Sequence, residues 1–173
     1  MQERVRVLNR ATPRAAARYV LYWLQANRRA ESNQALAAAV HLANHLELPV
    51  LCYEMLTCRY PYANDRLHTF ILEGVPDTAR AMRERGIGYY FYLRRRASEP
   101  DDIPRALAGN AAAIVTDDFP TFLGAEHNAS LPGSFDIPYH AVDASCVVPM
   151  NFFAKREYAA YTIRPKIKRH LAE

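Results

Sequence analysis

The chain has 173 residues, half of them hydrophobic, with a formal charge of +4 and three cysteines. That is enough for one domain with a real core, and the absence of any run of about eighteen apolar residues excludes a membrane-spanning helix. The charge collects at the ends, +3 over residues 1–17 and +4 over residues 155–173, leaving −3 between them, so a continuous basic face for nucleic acid is not indicated.

The basic ends read as solvated flanks. Cys52, Cys58 and Cys146 have neither CxxC nor zinc spacing, and an odd count suits a reducing cytosol rather than a disulfide framework. A cytoplasmic location is therefore expected. The arginine-rich start lacks an apolar signal core, and Glu3 and its short length argue against a transit peptide.

Along the chain, Tyr19-Val-Leu-Tyr-Trp-Leu24 reads as a buried strand. Leu36, Ala39, Val40, Ala43 and Leu46 then recur at helical spacing, with Ser32 or Asn33 as N-cap. Pro49 to Met55 is a second strand. Asn64 is placed to cap a long helix with the stripe Leu67, Phe70, Ile71, Gly74, Val75, Thr78, Ala79 and Met82, closed by Gly86. Pro76 should kink or interrupt it. Gly88 to Leu93 is a third strand, and a short helix fits Ile103 to Ala108. Ala112 to Thr116 is a fourth strand ending at Asp117. Pro120 suits the first turn of the next helix, Pro132-Gly133 ends that unit, and Tyr139 to Asp143 is a fifth strand.

Strands separated by helices predict an α/β fold: a Rossmann-like, doubly wound, five-stranded parallel sheet with helices on both faces. Residues 18–145 form the domain, 1–17 a basic flank, and 146–173 an exit connector. In such sheets ligands bind at the C-terminal strand edge near the switch point. This selects Trp23 to Arg29, Glu54-Met55, Asp117 and Asp143.

Several functions lack their motifs. There is no GxGxxG after the first strand, no GxxxxGK[ST] and no GxSxG. His41 and His45 stand four apart, off the apolar stripe and without a third ligand, so they read as surface and no metal site is expected. Asp117-Asp118 could be a working carboxylate pair, but one of them capping the next helix is the simpler reading. Arg94-Arg95-Arg96 reads as a solvated turn rather than a phosphate contact.

The stretch from Trp23 to Leu36 groups an aromatic, a glutamine and two arginines at the ligand edge. It resembles the start of the α/β domain of the photolyase/cryptochrome family, closest to class II cyclobutane pyrimidine dimer photolyases. Tyr22-Trp23-Leu24-Gln25, with Arg29, Asn33, Ala35 and Leu36 in register, is similar to that family's aromatic-led strand and following turn. Arg4 to Asn9, Pro49-Val-Leu, Tyr60-Pro61 with Asn64, Phe70-Ile-Leu-Glu-Gly74, Val115-Thr-Asp117, Val142-Asp143 and Lys155 to Ile167 continue the likeness in order. Asn27 and Ser32 depart from it, standing where the family usually has Asp, and no arginine opens the helix after Asp117.

The resemblance implies an antenna-chromophore-binding or scaffold part of a light-driven DNA-repair protein. The antenna would be an 8-hydroxy-deazaflavin or a folate. Trp23, Gln25, Arg29, Asn33, Tyr53, Glu54 and Met55 would hold it, with Asp117 and Asp143 at the rim. Flavin adenine dinucleotide (FAD) and DNA would bind a helical domain absent from these residues and supplied in cis or in trans. Catalytic residues and repair by this chain alone are therefore not expected. The alternative is a stand-alone nucleotide-binding module, or a partner-docking one using the basic segment Lys155 to His170, without photochemistry.

Overall fold

The computed structural model describes residues 2–171. Its centre is a six-stranded sheet in the order β1-β6-β5-β2-β3-β4. The strands are β1 (Val5–Val7), β2 (Tyr19–Leu24), β3 (Val50–Thr57), β4 (Gly88–Arg94), β5 (Ala111–Asp117) and β6 (Tyr139–Val142). All five strands expected from the sequence are present and mutually parallel. The sixth, β1, was not foreseen; it adds antiparallel to β6, with Val5 opposite Val142.

Residues 1–17, read as a flank, thus contribute a strand to the sheet. Arg4 reaches further: it donates from Nη1 to the Cys146 carbonyl at 2.7 Å and from Nη2 to the Val147 carbonyl at 2.8 Å. The amide of Asn9 donates to the Pro132 and Ile137 carbonyls. Three residues, Val5-Arg6-Val7, are too few to show a periodicity, and pairing with a distant strand supplies the order instead.

Five helices follow the strands: α1 (Gln34–His45), α2 (Asp65–Glu84), α3 (Ile103–Ala108), α4 (Phe122–Ser130) and α5 (Ala160–Leu171). Asn33 caps α1, its side-chain oxygen accepting from the Ala35 and Leu36 N–H groups, as an N-cap must to satisfy free donors. Ala35, Leu36, Ala39 and Ala43 form the buried face of α1. Asn64 caps α2 through the Leu67 N–H, and Gly86 turns the chain away at φ +70°, a left-handed position that suits glycine.

Two expectations about helices are corrected. The α2 helix runs through Pro76 without interruption; the ring lies on the exposed side, where water can serve the carbonyl that proline leaves unbonded. Pro120 lies ahead of α4 rather than in its first turn, because Thr121 occupies the N-cap position.

Alternation along β2 and β3 divides the core into two layers. Val20, Tyr22 and Leu24 face α1 and α2 with Cys52 and Met82. Leu21 and Trp23 face the α3 side with Tyr53, Ala108 and Ile114. No helix among the described residues is long and apolar enough to cross a membrane.

Candidate functional site

The strand order reverses beside β2, which lies between β5 and β3. At that switch point the turn after β2 points three successive backbone N–H groups at one carboxylate. Asp117 Oδ2 accepts from Gln25 N at 2.9 Å, Ala26 N at 2.8 Å and Asn27 N at 3.3 Å. Its other oxygen accepts from Asn27 Nδ2 at 3.0 Å and the Tyr22 hydroxyl at 3.3 Å. A nest of this kind is an anion site, and here the protein fills it with its own side chain. Asp117 therefore does not cap α4, and neither does Asp118, whose carboxylate pairs with Arg6 at 2.7 Å.

Asn33 completes this inner cluster, donating to the Tyr22 hydroxyl and to the Asn27 and Arg29 carbonyls. Burial and the neighbouring Asp117 push the Tyr22 hydroxyl well above its ordinary range. Arg29 holds the turn to the exit segment through the Ala144 carbonyl at 2.9 Å. Asp143 organises that exit, accepting from the Ser145, Cys146 and Met150 N–H groups.

On the α3 side, Trp23 is 4% exposed and stacks on His127 of α4 with centroids 5.3 Å apart. Gln25 Nε2 donates to Thr116 Oγ1 at 2.8 Å, and Gln25 Oε1 lies 2.7 Å from His127 Nδ1. Tyr53 lies 6.4 Å from Trp23 and 5.9 Å from Tyr90, centroid to centroid, with Met55 beside this layer. The Tyr53 hydroxyl is buried without a hydrogen-bond partner among the described residues, and burial raises its pKa.

Glu54 faces the opposite layer. It is fully buried and meets Arg28 Nε at 2.5 Å, while its second oxygen accepts from the Tyr89 hydroxyl at 2.7 Å. Burial first, and then this bond, raise the Tyr89 pKa. Glu54 and Arg28 border a cleft of about 720 Å³ between the β2–α1 turn and α2, where Leu67, Phe70 and Gly74 form the far wall. Phe70 is 75% exposed.

The nine residues expected at one site are thus distributed. Trp23, Gln25, Tyr53 and Met55 share the α3-side layer; Asn33 and Asp117 lock the turn; Arg29 and Asp143 hold the exit; Glu54 sits under Arg28 at the cleft, which Arg29 also lines. Sequence reading included Arg28 in the selected turn without naming it as a site residue, and it missed Tyr89 and His127. Parity along β3 separates Glu54 from Tyr53, a signal that was available; nothing local places His127 on Trp23. His41 and His45 lie exposed on α1, and among the described residues no three metal-ligating side chains gather. Arg94, read as part of a solvated turn, is buried and donates to the Ala97 and Glu99 carbonyls.

The chain is a doubly wound α/β domain with a cleft at the carboxyl edge of its sheet. The DNA photolyase family model matches residues 20–173, and the chain belongs to that family. It is 38% identical over 170 residues to a deoxyribodipyrimidine photo-lyase of Methanothermobacter thermautotrophicus (98% of this chain, 37% of the relative). To the Arabidopsis thaliana deoxyribodipyrimidine photo-lyase it is 33% identical over 158 residues (89% and 31%). To that of Potorous tridactylus it is 28% identical over 153 residues (85% and 28%). The chain spans about a third of the length of these relatives.

Proposed function

We propose that this chain is the α/β portion of a light-driven DNA-repair protein of the class II photolyase type. In this reading it holds a planar antenna chromophore, an 8-hydroxy-deazaflavin or a folate, in the cleft between the β2–α1 turn and α2. An FAD-binding helical domain, in cis or in trans, would carry the repair chemistry and the DNA contact.

The cleft itself carries the reading. It is of the size that small-molecule sites have, it lies at the strand edge, and it offers an exposed phenyl ring for a flat heterocycle to lie against. The residues fit a chromophore better than a nucleotide phosphate, because the backbone nest suited to phosphate already encloses Asp117.

Gly74 supplies a clean test. It lines the cleft, and a Cβ added there meets nothing within 4 Å, so Gly74→Leu starts its side chain in open space at the cleft. Titration with 8-hydroxy-5-deazariboflavin, followed by absorbance and fluorescence, should show one-to-one binding that Gly74→Leu and Phe70→Ala abolish or strongly weaken. Binding unchanged in both variants but lost in Trp23→Phe moves the site to the α3-side layer. No binding by the unmodified chain overturns the antenna reading, and a melting-point shift with adenine nucleotides would then favour a nucleotide-binding module.

A further inference from the structure

We infer that the cleft selects a planar heteroaromatic ligand bearing an anionic oxygen, and that Arg28 is the residue that selects it. The inference rests on the cleft being the chromophore site.

Arg28 has five N–H donors in a planar fork. Nε alone is engaged by the protein, at Glu54 Oε1, and among the described residues the two terminal nitrogens make no hydrogen bond. The side chain is a third exposed and borders the cleft. Glu54 cannot swing to follow it: the carboxylate is fully buried and its second oxygen is held by Tyr89. Burial and two hydrogen bonds therefore fix the guanidinium at its Nε edge and leave its outer edge presented.

The other charges at the cleft are already matched or lie across it. Arg29 commits Nε to the Ser32 carbonyl and Nη2 to the Ala144 carbonyl. Glu31 pairs with Arg85 and Asp77 with Arg80. Glu73 lies on the α2 wall, where it favours ligand hydroxyls over a second anion. A ring anion at the Arg28 end, with the ring against Phe70, satisfies both walls. A guanidinium already ordered before binding loses little side-chain freedom on meeting its ligand, and a charge-assisted bond to it is stronger than a neutral one.

The anionic oxygen can come from the ring, as in an 8-hydroxy-deazaflavin, or from a carboxylate, as in the glutamyl tail of a folate. Two ligand pairs separate the sources: 8-hydroxy-5-deazariboflavin against 5-deazariboflavin lacking the 8-oxygen, and a reduced folate against its pterin lacking the glutamyl tail. The unmodified chain should prefer the anionic member of one pair by roughly tenfold or more.

Arg28→Met alone leaves the Glu54 carboxylate buried without its cation and can unfold the chain. The double variant Arg28→Met with Glu54→Gln removes both charges. It should lose the preference, the two members of the pair binding with equal affinity, and Arg28→Lys should retain part of it. Equal affinity within both pairs, or a preference that survives in the double variant, overturns the inference and leaves the cleft reading standing. No binding of any of the four ligands by the unmodified chain overturns both.

Discussion

The side-chain oxygen of Gln25 and Nδ1 of His127 lie 2.7 Å apart, and the surrounding bonds decide which one donates. Thr116 gives its hydroxyl proton to the Trp23 carbonyl, so its oxygen accepts from the Gln25 amide nitrogen. Gln25 is left with only its carbonyl oxygen for His127. The imidazole must carry its proton on Nδ1, which leaves Nε2 as the acceptor of a neutral ring.

Burial lowers the His127 pKa, and it lowers that of His140 as well. A histidine whose folded pKa lies below its unfolded value makes the unfolded chain bind more protons in the interval between the two. Stability is then fully present above the ordinary value of 6.5 and is lost as pH falls from there through the folded values. Urea unfolding at a series of pH values should show this decline, and the double variant His127→Gln, His140→Gln should flatten it. An unchanged slope in that variant counts against the assignment. Imidazole nitrogen shifts at neutral pH should report the Nδ1–H form of His127.

Asn33→Ala removes two capping acceptor bonds and three donor bonds from a buried position. Loss of the cap and the stranding of buried partners should together destabilise the chain by about 2–4 kcal/mol. Asn33→Asp keeps the cap and loses the donors, so it should fall between the two in chemical denaturation. A smaller loss for alanine than for aspartate would contradict the role given to the cap.

Arg4→Ala should act locally. Its bonds to the Cys146 and Val147 carbonyls hold the segment after β6 against the sheet. Amide exchange should quicken across residues 143–150 while the amides of β2 and β3 keep their protection. A uniform loss of protection would mean that Arg4 supports the whole sheet instead.

Pro76→Ala should raise stability. The proline is exposed within a continuous helix, lacks an N–H, and crowds the preceding turn. Its replacement restores a donor and a strong helix former, a gain of about 1–3 kcal/mol, readable as a higher midpoint in urea. A lower midpoint would show that the proline is needed where it stands.

Strand positions were readable because parallel strands buried on both faces leave continuous apolar runs, as Ala111 to Asp117 does with every residue buried. Residue 117 illustrates the limit. Its sequence context suits a helix cap equally well, and only the approach of residues 25–27 across the sheet makes it the anion of a nest. The switch-point rule selects residues along a strand edge, but that edge has two faces. Trp23 and Glu54 stand near one another along the sheet and belong to opposite layers. The Arg28–Glu54 contact depends on β2 and β3 pairing with Leu24 beside Glu54, a register that the sequence does not state.

The bond from Arg4 to the Asp143 carbonyl joins residues 139 positions apart, and β1 pairs only with β6. During synthesis β1 therefore leaves the ribosome long before its partner exists. The β2–β3–β4 parallel core can assemble in that interval from neighbouring elements, whereas docking of β1 and tightening of the exit must wait for β6. The first strand in sequence order is thus the last of the six to dock.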